Sequence, residues 1–126
     1  MTVGELPKGD VVTARKHPAM PAQVRVGPLV YDVACDSLAL LVAEHSHKQA
    51  LLGQCDHKAL AIMLSPDQAP LALKSTLLHE VLHAVINTAG FEITDEDEER
   101  LVSVLEAPLL QLVRDNPDLI AWLSDQ

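Results

Sequence analysis

His79, Glu80 and His83 stand in the stretch "TLLHEVLHAV", residues 76–85, in the pattern H-E-x-x-H. On an α-helix, residues four apart differ by about 40° in azimuth and one turn in height. Two histidines at that spacing project together and can share one zinc ion through their imidazole nitrogens. Moving either by one residue would swing it away by roughly 100° and remove the chelate. Glu80, beside the first histidine, is suited to take a proton from a zinc-activated water, the task of a general base. Ordinary residue frequencies give a chance match in a chain of this length at roughly 0.5%. The competing assignment, core or capping histidines in an ordinary helix, is weakened because both lie on the flank of the apolar stripe.

A catalytic zinc needs a third protein ligand and an open position for water. The downstream extension H-x-x-G-x-x-H is absent: Ile86 occupies its glycine position, Ala89 its last histidine position, and no histidine follows His83. The third ligand is therefore a carboxylate or an upstream histidine: His17, His45, His47 or His57. His45 and His47, two apart in a polar stretch, and His57 in a predicted turn read more simply as surface residues. Downstream, Asp95, Glu96, Asp97, Glu98 and Glu99 open the next helix, where the helix dipole favours anions whatever else they do. A helix returning antiparallel past the motif could aim one of them at the metal. Helical phase favours Glu98, which shares a face with Leu101, Val102 and Leu105. Three residues carry weaker expectations. Asn87, four after His83, could orient a ligand or bind substrate, and Tyr31 or His57 could stabilise an oxyanion.

These side chains need elements to position them. From Pro70 to about Thr88, Leu73, Leu77, Leu78, Val81, Leu82, Val85 and Ile86 recur at helical spacing, with Gly90 placed as a C-terminal cap. "TDEDEERLVSVLEAPLLQLVRDN" reads as a second helix with Thr94 as N-cap, and Asn116-Pro117 opens a short terminal helix. Upstream, "QVRVGPLVYDVAC" alternates about Gly27-Pro28 and predicts two strands, with Val24, Val26, Val30 or Tyr31, and Val33 in strand positions. "SLALLVAEHSHKQALLG" predicts a helix, or helix and loop, ended by Gly53. "GQCDHKALAIMLSP" predicts a hairpin turning at Cys55-Asp56-His57-Lys58, with "ALAIML" as its apolar strand. Residues 1–22, rich in Pro and Gly without a period, read as a poorly ordered leader, and residues 23–126 as a single domain. The expected fold is α+β: a small, mainly antiparallel sheet in the N-terminal half packed on the motif helix, then a second long helix and a short C-terminal one.

Bulk composition limits the functions available. At 126 residues with 48% hydrophobic and 2% aromatic residues, the chain can bury one modest core of Leu, Val, Ile and Ala. Nine Lys and Arg against eighteen Asp and Glu give a net charge of −9, which argues against nucleic acid and anionic membranes as partners. No apolar run is long enough to span a bilayer, and the N-terminus lacks signal-peptide layout, so a cytoplasmic protein is expected. Cys35 and Cys55 form neither a C-x-x-C pair nor a disulfide framework and are expected as buried or half-buried thiols.

The stretch "STLLHEVLHAVINTAG", the acidic helix start, "LVSVLEAPLLQLVRDNPDL", and the upstream "VRVGPLVYDV" and "LLGQCDH…IMLSP" together resemble small phage and prophage zinc metallopeptidases. These are minimal gluzincin-like proteins, distantly related to the ImmA/IrrE-type peptidases. The likeness spans about residues 23–122, and H-E-x-x-H is its specific part. It implies zinc (Zn2+) held by the two histidines and a Glu of the following helix, with the motif Glu as base. Carried onto this chain, that gives His79, His83 and, three residues before Val102, Glu99 as ligands, and Glu80 as base. The resemblance and helical phase thus differ by one residue; Glu99 is taken as the third ligand, with Glu98 as the alternative.

The function expected is a zinc-dependent metallopeptidase acting on a peptide or protein, in the host cytoplasm if phage-encoded. The strand "ALAIML" would hold an extended substrate by edge pairing. The alternative is a non-catalytic, zinc-stabilised protein-binding module of phage origin, which would have no need of Glu80. A metal-free helical interaction domain is a third class.

Overall fold

The computed structural model describes residues 18–36 and 52–126. Among the described residues two antiparallel strands come first, β1 (Gln23–Val26) and β2 (Leu29–Cys35). Their two-residue connection requires a positive φ at its first position, and Gly27 supplies it at 58°. Along β2, Tyr31 and Val33 are buried while Asp32 and Ala34 are exposed, so it is Tyr31 rather than Val30 that faces the core. The helix expected between residues 37 and 51, with His45 and His47, lies outside the described residues, as do residues 1–17 with His17.

β3 (Gly53–Asp56) and β4 (Ala61–Leu64) follow as an antiparallel hairpin. The turn falls two residues later than expected: Cys55 and Asp56 pair within β3, and Leu60 belongs to the turn, at φ 54°. Asp56 sets that turn, its Oδ1 accepting from the backbone N–H groups of Lys58 (2.9 Å) and Ala59 (3.0 Å). The strand order is β1-β2-β4-β3, with β2 and β4 parallel and both outer pairs antiparallel. Spatial order therefore departs from chain order at β3 and β4. The chain passes from β2 to the far edge as β3 and returns inside as β4. β4 needs the central place because Ile62 and Leu64 are both fully buried.

Among the described residues three helices follow the sheet in this α+β fold: α1 (Pro70–Ala89), α2 (Asp95–Asp115) and α3 (Pro117–Ser124). Gly90 closes α1 in the left-handed conformation, φ 71°, its N–H donating to the Asn87 carbonyl. Thr94 caps α2 by accepting from the Asp97 N–H at 3.1 Å, and the helix continues through Pro108. Asn116, expected to cap α3, instead donates its side chain back to the Leu112 carbonyl of α2 at 2.9 Å.

α1 packs across the sheet on Val26, Tyr31, Val33, Ile62 and Leu64, with Leu73, Leu77 and Val81 against that cluster. Its most buried line, however, is Thr76, Glu80 and Ala84, while Val85 is exposed. The core-facing stripe is thus rotated from the purely apolar one, and it carries the motif carboxylate inward. α2 lies along α1 and fully buries Val102. No described helix is long and apolar enough to cross a membrane.

Candidate metal centre

His79 and His83, one turn apart on α1, present their edges to α2, with ring centroids 4.9 Å apart. Their Nε2 atoms approach to 3.3 Å. Glu99, in the second turn of α2, brings Oε1 to 3.2 Å from His79 Nε2 and 2.9 Å from His83 Nε2. Its other oxygen accepts from Ser103 Oγ at 3.0 Å. These three residues are also the group of metal-binding type among the described residues whose ligand atoms converge, all within 4.8 Å of one another.

The donor set could hold a tetrahedral metal ion. Ligand atoms about 2.05 Å from a tetrahedral ion are separated by about 3.3 Å, since the edge of a tetrahedron is roughly 1.6 times its centre-to-corner distance. The observed separations of 2.9, 3.2 and 3.3 Å sit close to that value. Two imidazoles and one carboxylate are ligand types that divalent metal ions accept.

Glu98, the alternative third ligand, goes elsewhere. Its Oε2 accepts from His83 Nδ1 at 2.6 Å, on the side of the ring away from Glu99. A fourth carboxylate, Glu106, does the same for His79, with Oε1 at 2.7 Å from Nδ1. Ser75 of α1 donates to the second Glu106 oxygen. Sequence reasoning missed Glu106. Its signal was the seven-residue interval from Glu99, which places both carboxylates on one face of α2 two turns apart.

Glu80 is 7% exposed and lines the cleft from the sheet side. Burial raises the pKa of its carboxyl, opposed by the neighbouring His79 and His83. For His79, burial disfavours the charged ring, but the Glu106 hydrogen bond and the nearby Glu80 and Glu99 charges outweigh it, and the pKa rises. For Glu99, burial acts upward, yet the Ser103 hydrogen bond and the two histidines bring the pKa down. The site therefore favours a charged Glu99 next to imidazoles, and keeps the more secluded Glu80 closer to protonation.

The cleft has a volume of about 730 Å³, with one wall formed by Leu52, Gly53, Gln54 and Cys55 and the other by α1 and α2. The expectation for "ALAIML" as the substrate edge is corrected: β4 is paired on both sides, and the strand bordering the cleft is β3. Among the described residues the outer side of β3 has no strand partner. His57 also lines the cleft, with Nδ1 3.1 Å from the hydroxyl of the fully buried Tyr31. Burial pushes the Tyr31 hydroxyl pKa up, and Tyr31 supports His57 from beneath rather than facing the cleft itself. The Asn87 side chain lies beside the Tyr31 hydroxyl. Cys55 is half-buried, as expected, whereas Cys35 at the end of β2 is exposed.

No protein-family model matches this sequence, and neither the curated proteins nor the solved structures contain a match to it.

Proposed function

We propose that the chain is a zinc-dependent peptidase. The observation that carries this reading is the convergence of His79 Nε2, His83 Nε2 and Glu99 Oε1 at tetrahedral-edge distances, with the Glu80 carboxylate buried in the same cleft. Those three atoms would hold the ion. When bound, zinc supplies Lewis-acid chemistry, bringing the pKa of a water towards neutrality and polarising a carbonyl oxygen.

The protein's own groups do the rest. Glu80 accepts the proton of the attacking water at its carboxylate and hands it to the departing amide nitrogen, so that the peptide bond breaks into acid and amine. Its secluded setting, which raises its pKa, suits a group that must both take and return a proton near neutrality. The open edge of β3 offers backbone groups to an extended peptide, and residues 52–55 would align it along the cleft.

The test is metal content followed by hydrolysis of a mixed peptide pool, read by mass spectrometry, for wild type and Glu80→Gln. One equivalent of zinc in both proteins, with cleavage reduced at least about 100-fold in Glu80→Gln, is expected. Zinc bound without any cleavage by wild type would favour the binding module, and equal cleavage by the variant would overturn the role of Glu80.

A further inference from the structure

We propose that Glu98 and Glu106 are positioning residues that fix His83 and His79 as Nδ1-protonated tautomers, so that both Nε2 lone pairs are directed at one metal ion. This rests on the zinc reading above and extends it to two residues of α2 that touch no substrate.

A neutral imidazole carries one N–H and one lone pair, and the partner of one nitrogen decides the state of the other. Glu106 Oε1 lies 2.7 Å from His79 Nδ1 and Glu98 Oε2 lies 2.6 Å from His83 Nδ1, so each carboxylate grips the ring edge away from the other histidine. On the opposite edges the two Nε2 atoms approach to 3.3 Å, with Glu99 Oε1 at 3.2 and 2.9 Å. A cation held among those three atoms would need both Nε2 lone pairs, and each ring hydrogen would then sit on Nδ1, where Glu106 and Glu98 accept it.

The framework also explains why α2 carries the three carboxylates. Glu99 and Glu106 lie two turns apart on one face and meet His79 from opposite ring edges. Glu98, about 100° round the helix, reaches the far edge of His83. Ser75 holds Glu106 from α1, so the carboxylate is itself oriented. Side chains gripping the outer nitrogen of metal-binding histidines typically strengthen metal binding 10–100-fold.

The experiment is zinc affinity by competition with a chromogenic chelator, with circular dichroism on each protein to check folding. Glu98→Ala and Glu106→Ala are expected to bind zinc about 10–100-fold more weakly than wild type. Glu98→Gln and Glu106→Gln, which keep an acceptor oxygen, should recover part of the loss, and Glu96→Gln on the exposed start of α2 should match wild type. Affinities within about twofold of wild type in both Ala variants would overturn the proposal while leaving the zinc reading intact. Wild type that takes up no zinc would overturn both. Should an Ala variant fail to fold, nitrogen-15 NMR of zinc-loaded wild type decides. Protonated Nδ1 and metal-shifted Nε2 are expected for both histidines, and metal at Nδ1 of either overturns the assignment.

Discussion

Cys55 stands in the wall of the cleft with its Sγ 3.6 Å from His57 Nδ1. A cysteine beside a histidine is the arrangement from which thiolate nucleophiles are made, but the surroundings here act the other way. Burial, followed by the negative charges of Glu80, Asp56 and Glu98, pushes the thiol up to about 12. At pH 8 it stays protonated and unreactive. Iodoacetamide at that pH should label the exposed Cys35 and largely spare Cys55 in the native protein, with equal labelling in urea; comparable native labelling by mass spectrometry would contradict this. Asp56, immediately before the same histidine, is held below the usual carboxylate range by the Ala59 backbone N–H, with Lys58 adding to it. A carboxyl whose folded pKa is lowered stabilises the fold above its unfolded pKa, and that contribution fades as pH falls through the folded value. Asp56→Ala should therefore cost about 0.5–1 kcal/mol at pH 7, at the low end because the group is solvent-accessible, and should converge on wild type in acid. Denaturant titrations at pH 7 and in strong acid measure both effects, and an unchanged gap in acid would refute the charged hydrogen bond as its source.

Elements place these residues through close approaches as well as through periodicity. Gly53, expected to end a helix, is the first residue of β3 and lies where that strand runs against α1. A Cβ there would come within 2.7 Å of Thr76 Cγ2 and 3.3 Å of Glu80 Cγ. Thr76 cannot easily turn aside, because its hydroxyl sits 2.7 Å from Gln68 Oε1 and 3.0 Å from the Ala72 carbonyl. Gly53→Ala should cost about 1–3 kcal/mol by overpacking and should also move Glu80, so that cleavage falls more than stability alone explains. A thermal midpoint and a specific activity within error of wild type would show that β3 yields instead. What the sequence made legible follows the same division. Local chemistry announced the Gly27 turn, the Thr94 and Gly90 caps, and the two histidines, because each depends on neighbours within four residues. The parallel pairing of β2 with β4 and the use of Gly53 as a gap depend on distant partners, so no local pattern marked them. The choice between Glu98 and Glu99 stayed open for a related reason: both lie near the start of α2, and only the direction of α1 decides which ring nitrogen each can reach. Glu106 was hidden because a helical Glu, read alone, is an ordinary surface residue.

Across the whole molecule, α2 is tied to α1 by polar pairs beside its apolar contacts. The apolar core joins the sheet to α1, and on α2 Val102 is fully buried. The polar ties from α2 to α1 run through the pairs Glu98–His83, Glu99–His79, Glu99–His83 and Glu106–His79, and through Ser75 to Glu106. A metal ion held by His79, His83 and Glu99 would bridge the two helices where those polar ties cluster. Binding confined to the folded state stabilises by about 2.7 kcal/mol at a free zinc concentration 100 times its Kd. For a domain of this size that corresponds to a rise of roughly 10 °C in Tm. Scanning calorimetry with buffered free zinc, and again after chelation, should show that rise and its loss, and Glu99→Gln should lose most of it while His57→Gln keeps it. Because the ion would act on the α1–α2 junction and not on the sheet, hydrogen exchange should slow chiefly along residues 76–89 and 95–106. A uniform slowing over β1 to β4 as well, or a Tm indifferent to zinc and chelator, would contradict a metal that ties these two helices together.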